Sequence, residues 1–390
     1  MPAKIPAKTE FYVGLISGTS MDGVDAAVVA FNGDNRPTLV HGKTFPIPAE
    51  LISELHQLAA GDITSLATLC HTDVALGEVF AQAVTSVLAD AGISPEQVAA
   101  VGSHGQTVFH GPREIHRCTL QIGDPNVIAE RTGITTVADF RRRDMAAGGE
   151  GAPLLPAFHH GILASPHTPR VILNIGGIAN ITVLAPKASA PLSGFDTGPG
   201  NTLMDAWIRH HQNKAFDQEG RWARTGSINN DLLEAFLREP YFQRPPPKST
   251  GRELFNTDWL FAQLEAFEAT VPAQDVQRTL LRLTSSSIAT AIEAINLGTA
   301  EILVAGGGAH NTLLMEDLQD QLLNTQIGTV QSQGISVEFL EAMAFAWFAK
   351  CRMQMIPATP AHITGATHRV VLGAIYAAAV PINIELKRES

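Results

Sequence analysis

Residues 11–31, Phe-Tyr-Val-Gly-Leu-Ile-Ser-Gly-Thr-Ser-Met-Asp-Gly-Val-Asp-Ala-Ala-Val-Val-Ala-Phe, decide the fold. Two β-prone runs, 11–17 and 24–31, flank a turn made of Gly18, Thr19, Ser20, Met21, Asp22 and Gly23. Such a turn can present backbone N–H groups, two hydroxyls and a carboxylate to a polyphosphate and its metal. Gly18 and Gly23 have the spacing of P-loop glycines, but Val24 and Asp25 stand where that loop requires Lys and Ser or Thr. The chain then returns as a strand, whereas P-loops and dinucleotide fingerprints run into a helix. The segment is predicted to be a phosphate-binding hairpin; standing alone, it would also read as an ordinary glycine-rich turn.

A second hairpin of the same type lies at 170–184, where an apolar strand reaches Gly176-Gly177 and turns back as a strand. A third glycine turn follows strand 301–305, with Gly306, Gly307 and Gly308 leading into a helix at 312–323. The order of hairpin loop, hairpin loop and strand–glycine–helix resembles the two phosphate segments and the adenosine segment of the actin-like ATPase superfamily, which includes sugar kinases. That resemblance implies an α/β protein of two domains, each a ribonuclease H-like sheet, with a nucleotide cleft between them.

Bulk properties agree with this. A chain of 390 residues, 45% hydrophobic and 17% charged, has material for two domains of ordinary size. A formal net charge of −11 argues against a nucleic-acid partner, because phosphate backbones would be repelled. Cys70, Cys118 and Cys351 form no C-x-x-C pair, which suits reduced thiols in a cytoplasmic protein. No signal-peptide core is expected near the N-terminus, and no membrane-spanning helix elsewhere. The apolar helices leave room for a homodimer.

Helical spacing appears at 49–60 and 63–91, and a buried strand at 98–103 delivers His104-Gly105-Gln106-Thr107 at its C-terminal end. A Gly/Pro-rich connector at 146–156 suggests a junction near 150. The N-terminal domain would then hold residues 1–150 plus a closing helix at about 365–390, and the C-terminal domain 151–364. The tract 244–251, Arg-Pro-Pro-Pro-Lys-Ser-Thr-Gly, reads as a surface loop.

Several side chains have the right chemistry for a site. Asp196 follows a strand end in a turn of Thr197, Gly198, Pro199 and Gly200, where a carboxylate could take a proton from a hydroxyl or a water; an aspartate that only shapes the loop is the plainer reading. Arg141, Arg142 and Arg143, with Arg131 nearby, suggest recognition of a carboxylate or phosphate in an otherwise acidic chain. His104 and Gln106 suit a polyhydroxylated ligand. Glu338 and Glu341 share one face of a helix expected at 336–353. The paired histidines His159-His160 and His210-His211 lack the i, i+4 spacing of a zinc helix, so no transition-metal site is assigned.

The opening motif, 14–25, is similar to the hallmark of the anhydro-N-acetylmuramic acid kinases. Further matching stretches are 103–107, 121–125, 138–144, 151–154, 174–180, 195–201, 306–311 and 341–346, so the resemblance covers nearly the whole chain. It implies conversion of 1,6-anhydro-N-acetylmuramic acid to N-acetylmuramic acid 6-phosphate with ATP and Mg²⁺, in murein recycling. Asp196 would activate a water for attack at the anomeric carbon, and Glu341 would assist at the sugar. Arg131 and Arg141 would hold the substrate with its lactyl carboxylate. Residues 18–25, Gly176-Gly177 and 306–308 would bind the nucleotide. Ser17 stands where many superfamily members carry an aspartate, which leaves Asp22 and Asp25 as metal contacts. Rival readings are a levoglucosan kinase, which needs no arginine set, a non-catalytic ATP-binding module and an NAD-dependent dehydrogenase.

Overall fold

A computed structural model describes residues 9–18, 21, 23–32, 36–62, 65–186, 193–246, 248–251, 253–267, 269–298, 300–323 and 325–378. The chain divides into two compact units, one running up to Phe158 and resuming at Phe339, the other comprising His159–Glu338.

Unit 1 opens with three antiparallel strands, β1 (Glu10–Ser17), β2 (Gly23–Phe31) and β3 (Pro37–Pro46). Helices α1 (Ala49–Ala60) and α2 (Leu66–Ala91) follow, then β4 (Val98–Ser103), which pairs parallel to β1. A two-stranded hairpin, β5 (Gln106–Gly111) and β6 (Cys118–Ile122), precedes α3 (Pro125–Thr132), β7 (Thr136–Ala138) and α4 (Phe140–Ala146). Helix α5 (Leu155–Leu163) carries the boundary into unit 2.

Unit 2 repeats the pattern. Strands β8 (Arg170–Ile175), β9 (Ile178–Leu184) and β10 (Ser193–Pro199) form an antiparallel meander. Helices α6 (Thr202–Gln212), α7 (Asn230–Leu237), α8 (Thr257–Ala266) and α9 (Ala273–Ile295) lead to β11 (Glu301–Ala305), α10 (Thr312–Gln321) and β12 (Gln326–Thr329). The chain then returns to unit 1 as α11 (Leu340–Met353), α12 (Ala361–Thr364) and β13 (Ala374–Tyr376).

The sheet orders are β3-β2-β1-β4-β7-β13 and β10-β9-β8-β11-β12. Apart from β13 at one edge, both follow the same plan, a meander of three strands with two parallel strands added beside the first. That is the repeated ribonuclease H-like plan expected from the sequence. The two glycine hairpins are the β1–β2 and β8–β9 turns.

In unit 1 the sheet is covered on both faces. Val13, Leu15 and Val101 share a core with Leu76, Phe80, Val84 and Leu88 of α2. Strand alternation turns Gly14 and Gly102 the other way, onto α11. A Cβ on Gly14 would lie 1.8 Å from the Ala342 carbonyl oxygen, and one on Gly102 2.1 Å from that of Phe345. Helix α11 offers Ala342, Ala344, Ala346 and Ala349 among its buried residues, and such short side chains suit a close approach.

Three expectations need correction. Residues 339–364 belong to unit 1 instead of the second domain, because α11 has its seat on β1 and β4. No closing helix forms over the described residues 365–378; residues 374–376 are instead an edge strand antiparallel to β7. Its β-branched and aromatic Ile375 and Tyr376 fit a sheet edge, and residues 379–390 lie outside the described residues. Finally, α2 is long and apolar enough to cross a membrane, with mean hydropathy 1.3. Its Leu76, Phe80, Val84, Val87 and Leu88 are instead buried in the unit 1 core.

Gly102→Ala should destabilise the protein by about 3 kcal/mol, since the methyl meets backbone that no rotamer change can move away. Urea unfolding followed by circular dichroism measures this; a difference from wild type below about 0.5 kcal/mol would contradict the packing described.

Candidate active site

In unit 1 the Met21 N–H donates to the Gly18 carbonyl at 3.2 Å in the β1–β2 turn. Met21 adopts a left-handed φ of 56° and buries its side chain in the core beneath α2. Its side chain therefore anchors the loop and is not offered to a ligand; Val24 is likewise core. Thr19, Ser20 and Asp22 lie outside the described residues. Asp25 pairs across from Ile16 at the start of β2 and accepts a hydrogen bond from Thr44 Oγ1 at 2.6 Å.

Arg141, at the start of α4, donates from Nε to His104 Nε2 at 2.9 Å and from Nη1 to the Gly151 carbonyl at 2.9 Å. A guanidinium only donates, so His104 Nε2 carries the lone pair and Nδ1 the proton, which goes to the Gly105 carbonyl at 2.9 Å. The imidazole is buried and sits 4.7 Å from the Phe345 ring of α11. Burial holds His104 well below the ordinary histidine pKa, and the Arg141 charge adds to that. Both ring nitrogens are thus committed inside the protein. In this arrangement His104 orients Arg141, with both of its ring nitrogens bonded within the chain.

Glu341 occupies the first turn of α11 with solvent access. Desolvation of its carboxylate raises the pKa, Asp25 pushes the same way, and Arg141 opposes them. Burial lowers Arg141 to about 10, with Glu341 and Asp144 acting against the fall. Asp25, Arg141 and Glu341 are therefore electrostatic neighbours, with His104 behind them. Arg131 is not brought into this group: its guanidinium is closed in a two-pronged bond on Glu78, with Nη2 to Oε1 at 2.8 Å, on the α2–α3 surface. Sequence proximity to the arginine run was misleading there, because α3 and α4 are separate helices.

The Ser17 and Ser103 hydroxyls and the Gln106 amide oxygen are buried without a partner among the described residues. They lie at the ends of β1 and β4 and at the start of β5. A buried polar atom left unpaired costs about 1–3 kcal/mol, so such atoms mark places that a polar ligand or water fills. The serines carried no distinguishing signal in the sequence beyond Ser17 standing at an expected aspartate position.

In unit 2 Asp196 sits on β10 just before a bulge, where Asp196 pairs with Asn180 and Gly198 with Ala179. Oδ2 accepts from the Ser249 hydroxyl at 3.1 Å and the Thr250 N–H at 3.0 Å. The Asp196 N–H donates to the Lys248 carbonyl, and Tyr241 Oη donates to the Asp196 carbonyl at 2.7 Å. Lys248 Nζ caps the Tyr241 ring 4.8 Å from its centre. The tract expected to be a plain surface loop is therefore the frame of the carboxylate. Both of these bonds fall on the same carboxylate oxygen, Oδ2. Burial raises the Asp196 pKa, the Thr250 and Ser249 bonds lower it, and Glu253 raises it.

The second hairpin packs on the start of α6. Gly200, Asn201 and Thr202 donate their N–H groups to the carbonyls of Gly176 and Gly177 at 2.8–3.1 Å. Gly306 has a φ of 79°, and a Cβ there would lie 2.5 Å from Asn174 Oδ1. One on Gly308 would strike Ile175, while Gly307 faces open space toward Asn201. Beside Gly307 opens a cavity of about 550 Å³, lined also by Asn201, Asp205, Phe216, Glu219 and His310. Its size and lining fit a nucleoside. Phe216 is 60% exposed on its wall, an apolar surface that a flat base could cover. Phe216, Asn201 and Glu219 were not singled out from the sequence, where only the glycine turn stood out.

The anhydro-N-acetylmuramic acid kinase family model matches residues 10–378. The chain belongs to this family. A relative of that name from Photobacterium profundum is 49% identical over 95% of this chain and 99% of its own length. Those from Vibrio vulnificus (strain YJ016) and Coxiella burnetii (strain Dugway 5J108-111) are each 47% identical, covering 94% of this chain and 98% and 97% of their own lengths. Membership makes the chain an enzyme, a kinase of the sugar-kinase group, and disposes of the dehydrogenase reading.

Ser249→Ala removes a bond that lowers the Asp196 pKa. The acidic limb of the kcat–pH profile should therefore move to higher pH, because Asp196 must be unprotonated to act as base. A limb unmoved, or moved downward, would separate Asp196 from that limb.

Proposed function

We propose that the enzyme uses ATP to open 1,6-anhydro-N-acetylmuramic acid and phosphorylate it to N-acetylmuramic acid 6-phosphate. Asp196 removes a proton from a water that attacks the anomeric carbon. The C1–O6 bond breaks with its electron pair on O6, and O6 takes the γ-phosphoryl group as ADP leaves. The observation that supports this most is a partly desolvated carboxylate held by one oxygen, in a chain related end to end to kinases named for that sugar. Arg141, held by His104 and Gly151, meets the lactyl carboxylate, for which the guanidinium fork is suited. Glu341 accepts hydrogen bonds from the sugar.

Within unit 2, the cavity beside Gly307 and the 176–177 turn suit the nucleotide, and in unit 1 the resemblance gives it the β1–β2 turn. Neutral backbone N–H groups and glycines that permit close approach fit phosphates. No cluster of three or more His, Cys, Asp or Glu side chains suited to a metal occurs among the described residues. Mg²⁺ takes one or two carboxylates and completes its shell with phosphate and water. Asp25, with Asp22 outside the described residues, would hold it, and bound Mg²⁺ supplies charge neutralisation on the phosphates. Cys70, Cys118 and Cys351 are free thiols, in keeping with the cytoplasm.

The test is turnover of the anhydro sugar with ATP and Mg²⁺, with product mass and ADP release followed together. Conversion to the 6-phosphate with one ADP each is expected, and Asp196→Asn should lower it by about 10⁴-fold while leaving ATP binding nearly intact. Arg141→Ala should chiefly raise KM for the sugar. Equal or faster turnover of levoglucosan, which has no carboxylate, would overturn the substrate.

A further inference from the structure

The Thr250 hydroxyl is buried and has no hydrogen-bond partner among the described residues. Its own amide is fixed, because the Thr250 N–H donates to Asp196 Oδ2 at 3.0 Å. Oγ1 is three bonds from that nitrogen, so covalent geometry keeps it within about 7 Å of Oδ2, and rotamers that bring the two oxygens to about 5.5 Å or less let one water bridge them. The neighbouring Ser249 hydroxyl is already spent on Oδ2 at 3.1 Å. A buried hydroxyl left without a partner is unfavourable, because it gives up its bonds to water and gains none in return. Something that can donate a hydrogen bond is therefore expected at Thr250 Oγ1.

We propose that Thr250 is a catalytic residue that accepts a hydrogen bond from the attacking water and so selects water over other nucleophiles. This rests on the reaction proposed above. Water has two O–H bonds: one is directed at Asp196 Oδ1 and the other at Thr250 Oγ1. As the new C1–O bond forms, the first proton passes to Asp196, C1–O6 breaks, and O6 bonds to the γ-phosphorus with loss of ADP. The second proton stays on oxygen as the anomeric hydroxyl. An alcohol has a single O–H, which the base must take, so it cannot satisfy Thr250. The hydroxyl thus gives water an advantage that size alone does not.

The experiment adds methanol to the reaction and measures the ratio of 1-O-methyl glycoside 6-phosphate to reducing sugar 6-phosphate by mass spectrometry. In Thr250→Val, which keeps the N–H bond to Asp196, kcat should fall by about 10- to 100-fold. The methyl glycoside ratio should rise several-fold, and Thr250→Ser should restore much of the preference for water. The ratio is internal to each reaction, so partial unfolding does not move it. Should the valine variant be insoluble, Thr250→Ala gives the same reading with less steric demand. An unchanged ratio in a variant lacking the hydroxyl overturns the role of Thr250 while leaving the kinase reading intact. Wild-type enzyme that makes no 6-phosphate from the anhydro sugar overturns both.

Discussion

Unit 1 depends on one close contact, the seating of helix α11 on β1 and β4 through Gly14 and Gly102. With no side chain at either glycine, the backbone of the helix lies almost on that of the strands, nearer than any Cβ would permit. Much follows from that proximity. The first turn of α11 brings Glu341 into the electrostatic range of Asp25 and Arg141. One turn later Phe345 packs on the His104 ring, and further on Phe348 meets Phe140 at the head of α4. A helix far away in sequence becomes the back wall of the phosphate-loop unit.

The charged groups in that wall are arranged by elimination. Arginine can only donate and a carbonyl can only accept, so the order Arg141, His104, Gly105 admits one neutral tautomer. Protonating the imidazole would place a cation against the guanidinium in a buried setting, which both burial and Coulomb repulsion resist. The guanidinium is consequently fixed in direction by a neutral imidazole and a carbonyl, with Glu341 and Asp144 acting on its charge. Arg131 shows the other outcome, with its fork satisfied by Glu78 on the surface. In unit 2 the same economy applies to a carboxylate. The Asp196 N–H bond to the Lys248 carbonyl, and the two donors on Oδ2, hold the carboxylate by one oxygen. Burial raises its pKa, and the Thr250 and Ser249 bonds work against that rise.

Glycine turns and strand periodicity made the repeated sheet legible in the sequence, and the motif 14–25 identified the family. Asp196 stood out in the sequence through the glycine-rich turn that follows it, whose amides the structure bonds to the carbonyls of Gly176 and Gly177. What stayed hidden were relations set by tertiary contact. The return of α11 to unit 1 was unreadable, because a helix buried on nearly every side shows no amphipathic stripe that points to its partner. The Pro-rich tract looked like loop because its order comes from hydrogen bonds to Asp196 and Tyr241, not from any local period. Arg131 and Arg141 looked alike, and only the presence of Glu78 across a helix pair distinguishes them. For His104, the sequence cannot show that both its nitrogens are already engaged. Residues 374–376 were taken for helix on small-residue composition, whereas an open edge at β7 recruited them as a strand.

The claim on which the account turns is that solvent, activated at Asp196, enters the sugar at the anomeric carbon while the phosphoryl group leaves ATP. Turnover in ¹⁸O-labelled water, with the product fragmented before mutarotation can exchange the label, reads this directly. One ¹⁸O on the C1 hydroxyl and none on the phosphate is the expected result. Label found on the phosphate with C1 unlabelled would place the water at phosphorus and contradict the account.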